Sequence, residues 1–163
     1  MMTRAFKTLY LLPVILITLY CSGCTDPNAV MDKSVEIDNH NWSYVNRAKF
    51  DVKIDDANIP YNLYFNLRVT ADYKYANIFI LMHQAGPDNK PTSTRMEFKL
   101  ANTDGEWLGT GSGNLYSYQM LFKSTYRFPA KGVYHFEIEQ NMRDNPLREV
   151  SDVGLRVEKD KAP

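Results

Sequence analysis

The sequence predicts an all-β fold, an antiparallel β-sandwich of immunoglobulin-like or jelly-roll type, preceded by an N-terminal export segment. Three observations carry this. Apolar residues recur at every second position in one segment after another, as they do on a strand with one buried face. Clusters of Gly, Pro, Asn and Asp separate those segments. Beyond residue 24 no stretch shows the apolar stripe of a helix. Many short strands without helices in one domain imply two sheets packed face to face. A small closed barrel is the runner-up, because alternation does not reveal whether the sheet edges meet.

The first segment stands apart. Arg4 and Lys7 precede a mostly apolar run from Leu9 to Tyr20, which ends in Cys21-Ser22-Gly23-Cys24. The run is shorter than the about 20 apolar residues that span a bilayer, and it contains Pro13. Residues 1–23 are therefore expected to be a cleaved signal peptide. The small residues Ser22 and Gly23 directly before Cys24 fit the lipobox of bacterial lipoproteins, with Cys21 where Leu is usual. Cys24 is the expected lipidation site and the first residue of the mature chain. Each acyl CH₂ buried in lipid contributes about 0.8 kcal/mol, so several chains on one cysteine hold a domain on a membrane without spanning it. Residues 24–35, with Asp26, Pro27 and Asn28 and little periodicity, are expected to be a lipidated tether, and residues 36–163 the sandwich domain.

The strands follow in order. Ala48, Phe50, Val52 and Ile54 alternate with Lys49, Asp51 and Lys53, and Tyr61 to Val69 repeats the pattern. Ile78 to Met82 is apolar on both faces and suits a central strand. Met96 to Leu100, Tyr118 to Phe128, Tyr134 to Ile138, and Leu155 with Val157 complete at least seven strands. The turn signals between them are Asp55 to Pro60, Gly86 to Pro91, the glycines 105 to 113, Pro129 to Gly132, and Asp144-Asn145-Pro146.

Composition excludes several classes. The 163 residues carry 19 basic and 19 acidic side chains, and loss of Arg4 and Lys7 with the leader leaves 17 against 19. There is no basic footprint for nucleic acid. Cys21 and Cys24 are the two cysteines, which rules out a disulfide framework. His40, His83 and His135 lie far apart, without metal-ligand spacing, and there is no Gly-x-Ser-x-Gly elbow. Asp55-Asp56 and Asp104-Gly105-Glu106 lack the spaced donors of a calcium loop. No catalytic residue, metal site or cofactor is expected, and the chain is read as not an enzyme. Gly109-Thr110-Gly111-Ser112-Gly113 has no following lysine for a phosphate loop and is read as a flexible loop. Beside it stand Trp107, Tyr116 and Tyr118. Asp104, Trp107 and Tyr116 are therefore the candidate surface for a partner protein or a glycan.

Three blocks share a wider likeness: PYNLYFNLRVTADYKYANIFILM at 60–82, DGEWLGTG at 104–111, and FPAKGVYHFEIEQNMRDNPLREVSDVGLRVE at 128–158. With the lipobox, they resemble the gliding motility lipoprotein GldH family of Bacteroidetes over most of residues 42–158. The resemblance implies a noncatalytic lipoprotein of the cell envelope, expected at the outer membrane. It would be associated with the gliding apparatus and the linked type IX secretion machinery, and would act by docking other envelope proteins. It carries over one site residue, Cys24. The alternative is a glycan-binding module that uses Trp107 and Tyr116.

Overall fold

A computed structural model describes residues 26–160. The expected signal peptide and Cys24 lie outside the described residues. The strands are β1 (Ala29–Glu36), β2 (Asn41–Trp42), β3 (Ala48–Ile54), β4 (Tyr61–Thr70), β5 (Asn77–Ala85), β6 (Pro91–Lys99), β7 (Thr110–Ser112), β8 (Leu115–Tyr126), β9 (Gly132–Gln140), β10 (Leu147–Arg148) and β11 (Val150–Lys159). One 3₁₀ turn, Asp38–His40, is the only helical element among the described residues.

The strict alternation of β3 puts Ala48, Phe50, Val52 and Ile54 inside and the charged residues between them outside. β4 likewise buries Tyr61, Leu63, Phe65, Leu67 and Val69. β9 contributes Tyr134, Phe136 and Ile138, and β5 contributes Ile78, Ile80 and Met82. Each Val, Leu, Ile, Phe or Met side chain among these withdrawn from water contributes about 1.5–3 kcal/mol before the entropy of ordering is subtracted. These inward faces decide which sheets form. One sheet has the order β1-β11-β4-β8-β7 and the other β3-β9-β5-β6, with every pairing antiparallel.

The long strands pair from the outside of the sequence inwards. The first (β1) pairs with the last (β11), β3 with β9, β4 with β8, and β5 with β6. The chain is thus one long antiparallel hairpin, turned at residues 86–90 and rolled so that alternate pairs fall in opposite sheets. That is jelly-roll topology, and it decides against the immunoglobulin-like alternative. The two sheets stay separate, so the barrel is excluded as well.

Two expectations need correction. Most of the expected tether 24–35 belongs to the sandwich, because residues 29–35 lie in β1 along the edge of β11. β1 buries few of its side chains, Met31 being one, so apolar alternation could not reveal it. The expected flexible glycine loop contains β7, which pairs with β8 through Thr110↔Ser117 and Ser112↔Leu115. Its glycines make room for rings. A Cβ on Gly109 would lie 2.6 Å from Cζ of Tyr118, and one on Gly111 would lie 3.3 Å from Tyr116.

The connections divide between the two ends of the sandwich. At the entry end lie the start of the described chain and the short links 55–60, 86–90 and 127–131. A Cβ on Gly132, whose φ is +143°, would lie 2.5 Å from Cγ of Pro87, so the 86–90 link meets the start of β9. At the far end lie the link 71–76 and the longer links 37–47, 100–109 and 141–149, with the β2–β10 ribbon. That ribbon closes the core there with Trp42 and Leu147, both fully buried, and the Trp42 indole donates to the carbonyl of Asn46 at 3.0 Å.

Candidate functional site

Three of the sequence-predicted surface residues fall at the far end. Asp104 is exposed and serves its own turn, where its carboxylate accepts the Glu106 amide at 3.3 Å ahead of Gly105 at φ +90°. Turn formation is what Asp and Gly supply there. Trp107 bridges to Ala101 and packs on Tyr116, the ring centroids 5.4 Å apart and tilted 34°. Both rings are half-buried against the core, so part of each face is spent within the protein. Tyr118 is buried, and its hydroxyl donates to the Leu100 carbonyl at 2.9 Å. Burial pushes its phenol above the ordinary range. The exposed apolar side chain of this link is the neighbour Leu108, 51 % exposed.

A second group was not foreseen. Tyr75 donates to Asp144 Oδ2 at 2.6 Å, which joins the 71–76 and 141–149 links, and this bond chiefly raises the Tyr75 pKa. Behind it, Gln140 is buried with both ends of its amide used. Nε2 donates to the Asp144 carbonyl at 3.0 Å, and Oε1 accepts from the Met142 amide at 2.8 Å. Glu149, at φ +68°, accepts from the Thr70 hydroxyl at 2.6 Å. These bonds shape a groove of about 740 Å³ whose walls carry Lys74, Arg143 and Arg148 against Asp72, Asp144 and Glu149. Tyr75 and Asp144, like Thr70 and Glu149, lie far apart in sequence, so no local motif announces the groove; Asp144-Asn145-Pro146 was legible only as a turn.

Hydrogen bonds connect the far-end links. The Tyr44 amide donates to Asn145 Oδ1 at 3.1 Å, and the Leu100 and Ala101 amides both donate to the Ala76 carbonyl. The surface thus runs from Tyr44 and Val45, which are 48 % and 71 % exposed, past the Tyr75–Asp144 groove to Trp107 and Leu108. It combines apolar side chains, aromatic rings and charges of both signs.

Two of the histidines, His83 and His135, have ordinary partners. His83 lies between Ser93 Oγ at 2.7 Å and Glu139 Oε2 at 3.0 Å, and His135 pairs with Asp51 at 2.6 Å.

The GldH lipoprotein family model matches residues 29–157, which is nearly the whole of the described sandwich. The chain belongs to the GldH lipoprotein family. Among its relatives, the gliding motility lipoprotein GldH homolog of Christiangramia forsetii is 30% identical over 153 residues, covering 90% of this chain and 93% of that protein. The gliding motility lipoprotein GldH of Flavobacterium johnsoniae is 28% identical over 124 residues, covering 72% of this chain and 77% of that one. Family membership makes this a motility-associated lipoprotein, held at the cell envelope by lipid.

Proposed function

We propose that the protein is a noncatalytic accessory component of the gliding apparatus and the linked type IX secretion machinery. It is held at the outer membrane by acyl chains on Cys24, and its far end docks another envelope protein. The observation that supports this reading is the gathering of Tyr44, Val45, Leu108 and the Tyr75–Asp144 groove at one end of the sandwich, joined by hydrogen bonds. A scatter of single exposed apolar residues would carry no such argument.

The test is crosslinking and pull-down of the lipidated protein from its native envelope. Capture of a motility or secretion protein that is lost in the double variant Val45→Glu, Leu108→Glu is the expected result. Undiminished capture by that variant would refute the assignment of the far end. Cys24→Ala is expected to mislocalise the protein and abolish the associated phenotype.

The glycan-binding reading fits less well. A sugar platform needs a free aromatic face, whereas Trp107 and Tyr116 are packed on one another. Retention on an envelope polysaccharide that vanishes in Trp107→Ala would reverse this preference.

A further inference from the structure

The described chain is fixed to the sandwich almost as soon as it begins. Asp26 forms an ion pair with Arg156, its Oδ1 accepts the Asn28 amide at 3.0 Å, and its carbonyl accepts the Ala29 amide at 3.1 Å. The Lys159 amide then donates to the Asn28 carbonyl at 2.9 Å, and the β1–β11 ladder follows. Arg156 is held in turn by Asp32 at 2.7 Å and Glu158 at 2.6 Å. Only Thr25 separates Cys24 from this clamp. At no more than about 3.6 Å per residue, the two residue steps from Cys24 to Asp26 have a maximum reach of about 7 Å, whereas a free tether through residue 35 would allow about 40 Å.

We propose that the entry end of the sandwich, with links 55–60, 86–90 and 127–131, rests directly on the phospholipid headgroups of the membrane that holds the protein, and that the domain stands end-on. This rests on the reading of Cys24 as the lipidated residue. The acyl chains fix Cys24 at the headgroup layer, and the clamp holds the entry end beside it. Lys53, Lys90, Arg127, Lys131 and Lys159 at this end are set against Asp55, Asp56, Asp88 and Asp160, with Lys53 paired to Asp55 at 2.9 Å, so the end carries little net charge. The short tie, and not net charge, sets the orientation, so it persists at high salt. β4 runs ten residues between the ends, which at about 3.3 Å each raises the far end about 30 Å above the headgroups. The docking surface is thereby presented away from the bilayer.

The test uses the full lipidated chain reconstituted through its own acyl groups into phosphatidylethanolamine and phosphatidylglycerol vesicles that carry a headgroup energy-transfer acceptor. A fluorophore is placed on Lys131→Cys at the entry end or Val45→Cys at the far end. Transfer several-fold stronger from position 131 than from 45, unchanged in 0.5 M salt, is expected. A twelve-residue Gly-Ser insertion after Thr25 should erase most of that difference. Equal transfer from both positions, or no response to the insertion, would overturn the orientation while mass spectrometry of the same sample still shows acylated Cys24. An unacylated Cys24 would overturn the anchoring reading and the orientation with it.

Discussion

The ring of Tyr118 packs against the backbone of Gly109 so closely that a methyl group there would stand 2.6 Å from Cζ and 2.9 Å from the Ser117 carbonyl. Gly109→Ala must therefore displace a buried ring whose hydroxyl is already committed to Leu100. The expected cost is about 1–3 kcal/mol, seen as a lower urea midpoint with unchanged slope. Tyr118→Phe, which keeps the ring and loses one hydrogen bond, should cost about 1 kcal/mol. Gly109→Ala combined with Tyr118→Leu should cost less than the sum of the single changes, since the collision with the ring is removed and only that with the Ser117 carbonyl remains.

Gln140 supports the far-end groove without lining it. Gln140→Leu preserves the volume but leaves the Met142 amide and the Asp144 carbonyl without their partner. A loss of about 1–3 kcal/mol is expected. Hydrogen exchange should accelerate over 141–149 and stay slow in β4, and an unchanged 141–149 segment would count against the role assigned to Gln140.

Gly154 sits on β11 opposite Ser34 of β1 and Asn66 of β4. A Cβ there would lie 2.7 Å from the Lys33 carbonyl and 3.1 Å from the Asn66 Cβ. Because β1 is an edge strand, it yields first. Gly154→Ala should strip exchange protection from residues 29–36 while the β4–β8 pairing retains it.

Acid should weaken the outer face of the β3–β9 pair. Arg47 donates to Glu137 Oε2 at 3.1 Å and pairs with Glu139 at 2.7 Å. The hydrogen bond from Arg47 holds the Glu137 carboxyl below its ordinary range, with Lys49 assisting at 3.4 Å. A carboxylate whose folded pKa is depressed contributes stability above its unfolded pKa of about 4.3, and loses it as pH falls through the lower folded value. The pair is partly solvated, so the contribution is about 0.5–1 kcal/mol at most. Arg47→Met should lower stability at pH 7, and the difference from the parent protein should close as pH falls through the lowered folded pKa of Glu137, as read from urea melts from neutral into acid.

Legibility followed burial on one face. β3, β4 and β9 could be read from sequence because each has one buried and one more solvated face, and the alternation holds along β3 and β9 and through Val69 of β4. β11 lies between β1 and β4 and buries Val150 through Leu155 on both faces, Ser151 and Asp152 included. Alternation fails there, so only Leu155 and Val157 were recognised. β8 departs from period two near Thr125, where φ is +49° and the register against β4 shifts, which displaced its apparent end to Phe128. Trp42 gave no periodic signal from a two-residue strand, yet it is among the largest fully buried side chains.

The candidate surface was half legible for a different reason. Trp107 and Tyr116 drew notice as aromatic residues beside glycines, a local signal. The Tyr75–Asp144 and Tyr44–Asn145 bonds join residues that come together only once the sandwich is rolled up. The clamp of Asp26 by Arg156 belongs to the same class, and the expected tether was overextended for want of it.

β1 has β11 as its sheet neighbour, and residues 29 and 158 are cross-strand partners. Order of synthesis and order of assembly therefore run in opposite senses at this edge, because the strand made first must wait for the strand made last. Closing so wide a loop is slow compared with forming the β5–β6 hairpin. A polypeptide cut short before residue 150 would lose two strands of the sheet for the deletion of one, and its amino terminus would be left unmoored.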